Sequence, residues 1–417
     1  MNRDVMEKLA AADLTPSSIF DLDRLENRIK GIRQKLVGRA DLCFAMKANS
    51  FLVRPMNHLV DKFEVCSPGE FRICERLEIP MDKIVLSGVY KEESEILRVV
   101  REKEGKGTYT IESLSQLKIL QDCAKRTGYT LKVLLRITSG NQFGVDKEQA
   151  EKIIGDRKLY ANLHFAGIQQ YTGTQKKKFK KIAGELQQLD ELLQGWKEQF
   201  GYDAEELEYG PGLFVPYFAD DVNIERTAEH TGTEVPEWTG AELEELGNAL
   251  DNLKFSGRIT LEMGRYLAAE CGYFFTKVVD QKTNDRENYA IVDGGIHHLN
   301  YYGQFMAMKQ PFVEHIKGKE HSAVSETKEG EYWNLCGSLC TSGDLLAKHM
   351  SLPDLQIGDQ LVFENVGAYS VTEAIYLFLS RDMPRIYFYS EKSGLTLVRD
   401  RICTNEWNGE NTELHKK

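Results

Sequence analysis

The sequence predicts a (β/α)8 barrel followed by a β-rich C-terminal domain, and three observations carry that expectation. Eight short β-rich apolar runs recur with segments of helical period between them, the pattern of a parallel α/β fold. Glycine-rich turns follow the last two runs, where such barrels commonly bind phosphate. Beyond about residue 268 helical periods become scarce and strand-like runs take over.

The first run covers residues 42–46 and is preceded by Leu25, Ile29, Ile32 and Leu36 at helical spacing. Residues 63–66, 84–87, 109–111 and 133–137 supply the second to fifth runs. The sixth spans 163–168, the seventh is weak around Leu207, and the eighth is 259–262. The barrel is therefore expected over 24–268 and the β domain over 269–417, with residues 1–23 packing against the latter. In that second domain 273–279, 289–292 and 360–363 read as strands, and the polar stretch 317–331 reads as a mobile loop.

The 417 residues are 41% hydrophobic and 28% charged, enough for a large core and two domains. A net charge of -11 argues against a nucleic-acid backbone as a general partner. The basic run Lys176-Lys177-Lys178-Phe179-Lys180-Lys181 reads as a solvated helix face, with a patch for an anionic partner as the alternative. The N-terminal residues lack the apolar stretch of a signal peptide, and no apolar run approaches the ~20 residues of a membrane span. Eight cysteines are scattered without a Cys-x-x-Cys pair, so neither disulfides nor zinc are expected and the cytoplasm is the expected location. His297 and His298 are adjacent; on a strand their side chains project apart, and no metal is expected there.

Chemistry concentrates where the barrel strands end. Lys47 follows the first run directly, a position that favours a neutral, nucleophilic amine through partial desolvation. Taken alone, it reads equally as a lysine snorkelling from the barrel mouth. Glu262, at the end of the eighth run, reads as a carboxylate partner for a cation or as a rim ion pair with Arg265. Gly210 and Gly212 after the seventh run, and Gly264 after the eighth, let backbone N–H groups approach a phosphate closely.

The motifs come in a telling order. Phe44-Ala45-Met46-Lys47-Ala48-Asn49 is followed by Phe63-Glu64-Val65-Cys66-Ser67-Pro68-Gly69-Glu70, then Gly167-Ile168-Gln169-Gln170-Tyr171-Thr172-Gly173-Thr174-Gln175. Gly210-Pro211-Gly212, Glu262-Met263-Gly264-Arg265, Asp293-Gly294-Gly295, Cys336-Gly337-Ser338-Leu339-Cys340-Thr341-Ser342-Gly343-Asp344 and Gly367-Ala368-Tyr369 complete the set. Across nearly its whole length the chain thereby resembles the alanine-racemase-like, fold-type III pyridoxal-phosphate enzymes, in the branch of ornithine, diaminopimelate and arginine decarboxylases.

The resemblance implies pyridoxal 5'-phosphate as cofactor, anchored by Lys47, with Glu262 at its pyridine nitrogen. It implies that Tyr171 stacks on the ring, and that Thr174, Gly210, Gly212, Gly264, Arg265 and Tyr369 hold the cofactor. Cys340 is similar to a cysteine that protonates the reacting carbon across a homodimer interface, so Lys47, Cys340 and Glu262 are the expected catalytic residues. Arg265, Thr341, Asp344 and Tyr369 are the expected substrate contacts.

Three departures from the family pattern stand out. Tyr171 replaces a stacking histidine, Pro211 removes one backbone donor from the glycine turn, and Thr341 replaces an acid that meets a distal ammonium. The last points away from free diamino acids and toward amino-acid conjugates of siderophore or antibiotic pathways, including groups tethered to a carrier protein. Diaminopimelate decarboxylation is the alternative substrate reading. An amino-acid racemase on the same fold is a further alternative, against which Cys340 and Asp344 count. A non-catalytic cofactor-binding protein of a single barrel leaves the residues beyond 268 unexplained.

Overall fold

The structure is a computed structural model and describes residues 1–222, 238–301, 309–321 and 332–410. The chain divides into two units: Arg28–Phe214 with Thr239–Leu267, and Met1–Asn27 with Val215–Trp238 and Ala268–Lys417. In chain order the first strand, β1 (Ser17–Asp21), belongs to the latter.

The other unit is the closed parallel barrel that the sequence predicts. Its strands are β2 (Asp41–Ala45), β3 (Lys62–Val65), β4 (Ile84–Leu86), β5 (Thr108–Ile111), β6 (Leu131–Arg136), β7 (Leu163–Tyr171), β8 (Glu206–Gly210) and β9 (Arg258–Met263), with β9 returning to pair with β2. Every residue of β3, β4, β5 and β8 is buried, as strands covered on both faces require. Helices fill the crossovers. Leu114–Thr127 starts on a Ser113 side-chain cap and stops at left-handed Gly128. Phe179–Phe200 buries Ile182, Leu186, Leu189, Leu193 and Trp196 along one stripe and ends at Gly201.

The barrel interior carries charge. Side chains alternate along a strand, so Lys62 and Glu64 share the inner face of β3, as Glu206 and Glu208 do on β8. Toward the strands' N-terminal ends Glu206 bonds Lys132 at 2.5 Å and Lys62 at 3.3 Å. The carboxylates Glu64, Glu208 and Glu262 stand one layer further on, and all three are buried.

The second unit is a mixed sheet. Its strands are β10 (Gly272–Asn284), β11 (Glu287–Val292), β12 (Val313–Ile316), β13 (Tyr332–Cys336), β14 (Leu345–Ser351), β15 (Gln360–Glu364), β16 (Arg385–Ser390) and β17 (Gly394–Arg399). The order is β14-β13-β11-β10-β1-β16-β17, with β15 joining β10 to β12. Residues 17–21 lie between β10 and β16, antiparallel to the first and parallel to the second. Met6, Ala10, Ile19, Tyr273, Phe275, Ile316, Val362 and Tyr387 form an apolar core around them.

Two expectations need correction. Val215–Trp238, read as barrel, groups with the sheet unit, because Tyr217 and Phe218 pack on Tyr301 and Phe218 bridges to Pro311. The basic run is not a uniformly solvated helix face. Its helix begins only at Phe179, and Lys176 is buried. Residues 322–331 of the expected loop lie outside the described residues. No helix among the described residues is long and apolar enough to cross a membrane, and all eight cysteines are free thiols.

Candidate active site

Lys47 sits in a single 3-10 turn, Met46–Ala48, immediately after β2. Asn49 closes that turn and accepts the N–H of Phe51 to start the next one. Lys47 therefore cannot continue the strand, and its amine turns over the barrel end. Its Nζ donates to Glu64 Oε2 at 2.5 Å and lies 3.6 Å from Glu262 Oε1 and 3.9 Å from Cys66 Sγ. The lysine side chain is 42% exposed, whereas that of Glu64 is 2% exposed.

The carboxyls around Lys47 are driven apart. Burial would raise Glu64, but the charge and hydrogen bond of Lys47, a bond from Glu262 and the charge of Arg136 outweigh it and hold it down to about 2. Burial, then the charge of Glu64, pushes Glu262 up to about 8 against the pull of Lys47. Glu208 is raised by burial to about 7. At neutral pH one carboxylate is thus fixed as an ion against Lys47 while Glu262 keeps its proton, a division suited to separate acid and base tasks. Gln169 links the set: its Nε2 donates to Glu208 Oε1 at 2.6 Å and Glu262 Oε2 at 3.2 Å.

Two turns at the same end of the barrel are drawn together. The backbone N–H of Lys176 donates to the Gly212 carbonyl at 2.9 Å, and Lys176 bridges to Leu213. Gly212 has φ +60, and a Cβ there would stand 1.9 Å from the Gly173 carbonyl oxygen, so only glycine fits. The Tyr171 ring lies directly against Gly210. Arg265 Nε donates to Thr174 Oγ1 at 3.3 Å, and Gly264 approaches Ala48 closely. The barrel unit thereby gathers Lys47, Glu262, Gly264, Arg265, Thr174, Tyr171, Gly210 and Gly212 at the C-terminal ends of β2, β7, β8 and β9.

Of the residues predicted from sequence, Cys340, Thr341, Asp344 and Tyr369 belong to the sheet unit. Cys340 and Thr341 are exposed in the turn between β13 and β14, and Thr341 Oγ1 accepts the N–H of Gly343 at 3.3 Å. Asp344 is buried, with Oδ1 accepting from Ile296 N–H at 2.8 Å and Oδ2 from Leu339 N–H at 2.7 Å. Gly295 and Gly337 pack so closely on this carboxylate that a Cβ at either would collide with it. Asp344 therefore organises the Cys340 loop. Tyr369 adopts φ +68, and its carbonyl accepts from the N–H groups of Thr372 and Glu373. His297 and His298 lie in a turn, not a strand, with ring centroids 3.7 Å apart. Burial pushes them down to about 3 and about 4, leaving both rings neutral. No group of three metal-ligating side chains occurs among the described residues.

Glu64, Gln169 and Glu208 were not singled out by sequence. Strand alternation from Tyr171 back to Gln169 was an available signal; nothing local revealed that Glu64 meets Lys47.

These residues fit pyridoxal phosphate. The 173–174 and 210–212 turns meet backbone to backbone, where a Cβ at Gly212 would strike the Gly173 carbonyl, while a Cβ at Gly173 would stand in open space. The acid set beside Lys47 suits a cationic ring, and Gln169 Oε1 and Glu208 Oε2 are buried without a partner.

Comparison with known proteins agrees. The family described as pyridoxal-dependent decarboxylase, C-terminal sheet domain, matches residues 40–367. The L-glutamyl-[BtrI acyl-carrier protein] decarboxylase of Niallia circulans is 26% identical, over 89% of this chain and 87% of its own. The diaminopimelate decarboxylase of Aquifex aeolicus (strain VF5) is 26% identical, over 87% and 84%. The diaminopimelate decarboxylase of M. jannaschii in complex with L-lysine shares the fold with a TM-score of 0.81 at 23% identity, covering 97% of this chain and 94% of that one. The matched span runs from the barrel's first strand into the sheet unit, so the chain belongs to the pyridoxal-dependent decarboxylases of the ornithine, diaminopimelate and arginine group and is an amino-acid decarboxylase that uses pyridoxal phosphate.

Proposed function

We propose that the substrate is an amino-acid conjugate with no free distal ammonium, such as an aminoacyl group tethered to a carrier protein. The observation that carries this reading is the state of the Cys336–Asp344 loop. Thr341 is neutral, and the loop's one acid, Asp344, has both oxygens taken by backbone N–H groups. A buried distal ammonium would find no carboxylate here, at a cost of several kcal/mol. The relative named for a carrier-bound glutamyl group supports the same reading.

Pyridoxal phosphate, when bound, would supply an electron sink for loss of the α-carboxylate as CO2. Lys47 is the anchoring amine, oriented by Glu64 and released to neutrality when its proton passes on. Glu262, held by Gln169, would be the acid that meets the cofactor's ring nitrogen. Backbone donors around Gly173, Gly212 and Gly264 and the Thr174 hydroxyl would hold its phosphate. Cys340 returns a proton to the α-carbon within a homodimer.

CO2 release should be compared for meso-diaminopimelate, lysine and ornithine against N-acylated and carrier-bound amino acids. Conjugates are expected to lead by about 100-fold in kcat/KM, and Thr341→Asp should narrow that gap. Ordinary efficiency on a free diamino acid would overturn the proposal and leave diaminopimelate as the substrate. Cys340→Ala should keep the bound-cofactor absorbance while slowing turnover about 100-fold; loss of the cofactor would refute its assigned role.

A further inference from the structure

Lys176 is among the buried cations of the described residues that the mechanism leaves unused. Lys176 opens the basic run, yet its side chain is only 4% exposed. Its Nζ donates to Thr172 Oγ1 and to Glu185 Oε2, both at 2.6 Å. The same Glu185 oxygen accepts the Tyr209 hydroxyl at 2.5 Å. The network joins the turn after β7, the helix Phe179–Phe200 and strand β8, while the backbone N–H of Lys176 holds the Gly212 carbonyl.

A buried ion pair is a poor way to gain stability, because desolvation of both charges offsets their attraction, and apolar residues of similar volume often do as well. What the pair does supply is direction. Thr172 and Lys176 bracket Gly173, Thr174 and Gln175, so fixing both ends fixes the turn that faces Gly212. Pro211 has already removed one N–H from the opposing turn, so the aim of the remaining donors decides how well an anion is held.

We propose that Lys176 is a positioning residue for the cofactor phosphate, acting through Thr172, Glu185 and Tyr209 to hold the 172–176 turn against Gly212. This rests on the reading that places phosphate at these turns.

The test uses the full-length apoprotein titrated with pyridoxal phosphate and, separately, with pyridoxal, which lacks the phosphate. The double variant Lys176→Met/Glu185→Leu removes both charges together, and Thr172→Val removes only the hydroxyl. Expected for the double variant are a melting temperature near wild type and a pyridoxal-phosphate Kd raised about tenfold or more. Its 31P resonance should be shifted, with pyridoxal affinity unchanged. Thr172→Val should show a smaller change of the same kind, which keeps the test decisive if the double variant fails to fold. Wild-type phosphate affinity and 31P signal, or equal losses for both ligands, would overturn the proposal. Gly212→Ala separates the two readings. If it too leaves phosphate affinity intact, the phosphate site is misplaced; if it alone weakens binding, only the role of Lys176 fails.

Discussion

Lys47→Ala is expected to lose decarboxylation by at least about 1000-fold and to lose the covalently bound cofactor's absorbance. It should also change how stability depends on pH. In the cofactor-free protein Glu64 is held down to about 2 against an ordinary 4.5. A depressed folded-state pKa contributes stability that is present above pH 4.5 and lost as pH falls through about 2. Without Lys47 the burial that already opposes ionisation prevails, and the folded pKa of Glu64 rises above its unfolded value. The sign reverses: the variant keeps its stability below about pH 4.5 and loses it as pH rises. At pH 8 the loss should be about 2–4 kcal/mol, below the usual toll of a broken buried pair because the Lys47 side chain is itself 42% exposed. Urea unfolding at pH 5 and pH 8 measures this. Lys47→Ala/Glu64→Gln should recover the stability and none of the activity. A single variant as stable as wild type at both pH values would mean that Glu64 is not held by Lys47.

The barrel was legible because strands buried on both faces leave short continuous apolar runs, and all eight stand where those runs fall. The weakest run shows the limit of that signal. Around Leu207 the neighbours include Glu206 and Glu208, which look solvent-facing by pattern but point into a charged interior, where Lys62 and Gln169 receive them. Strand β1 escaped for a related reason. Ser17, Ser18 and Asp21 dilute its pattern, and its place between β10 and β16 follows from partners hundreds of residues away. In the site, Lys47 and Glu262 were readable from their motifs. The meeting of Lys47 with Glu64 was not, since it depends on the register that sets Ala45 opposite Glu64. Lys176 was misread because a run of like residues suggests one environment, whereas its first member lies before the helix begins.

Glu262→Gln should cut kcat about 100- to 1000-fold and at the same time stabilise the cofactor-free protein at alkaline pH. Glu262 is buried beside the ionised Glu64 and is pushed up to about 8 from 4.5. A raised folded-state pKa contributes stability that is complete below pH 4.5 and lost as pH rises through about 8. Glutamine removes that titration, and its carbonyl oxygen still accepts from Gln169. The variant should therefore gain on the order of 2–4 kcal/mol over wild type at pH 8, and little at pH 4.5. Glutamine has no acidic proton to give a ring nitrogen and cannot become the carboxylate that faces it, so the same change that relieves the apoprotein removes the electron sink's counter-charge. The two effects are separable by experiment. Full activity with raised stability would move the ring-nitrogen role to another acid, with Glu208 next in line because burial raises it to about 7 and Gln169 ties it to Glu262. Lost activity without the alkaline gain would mean that Glu262 is already ionised in the free barrel and meets the ring nitrogen as a carboxylate from the outset.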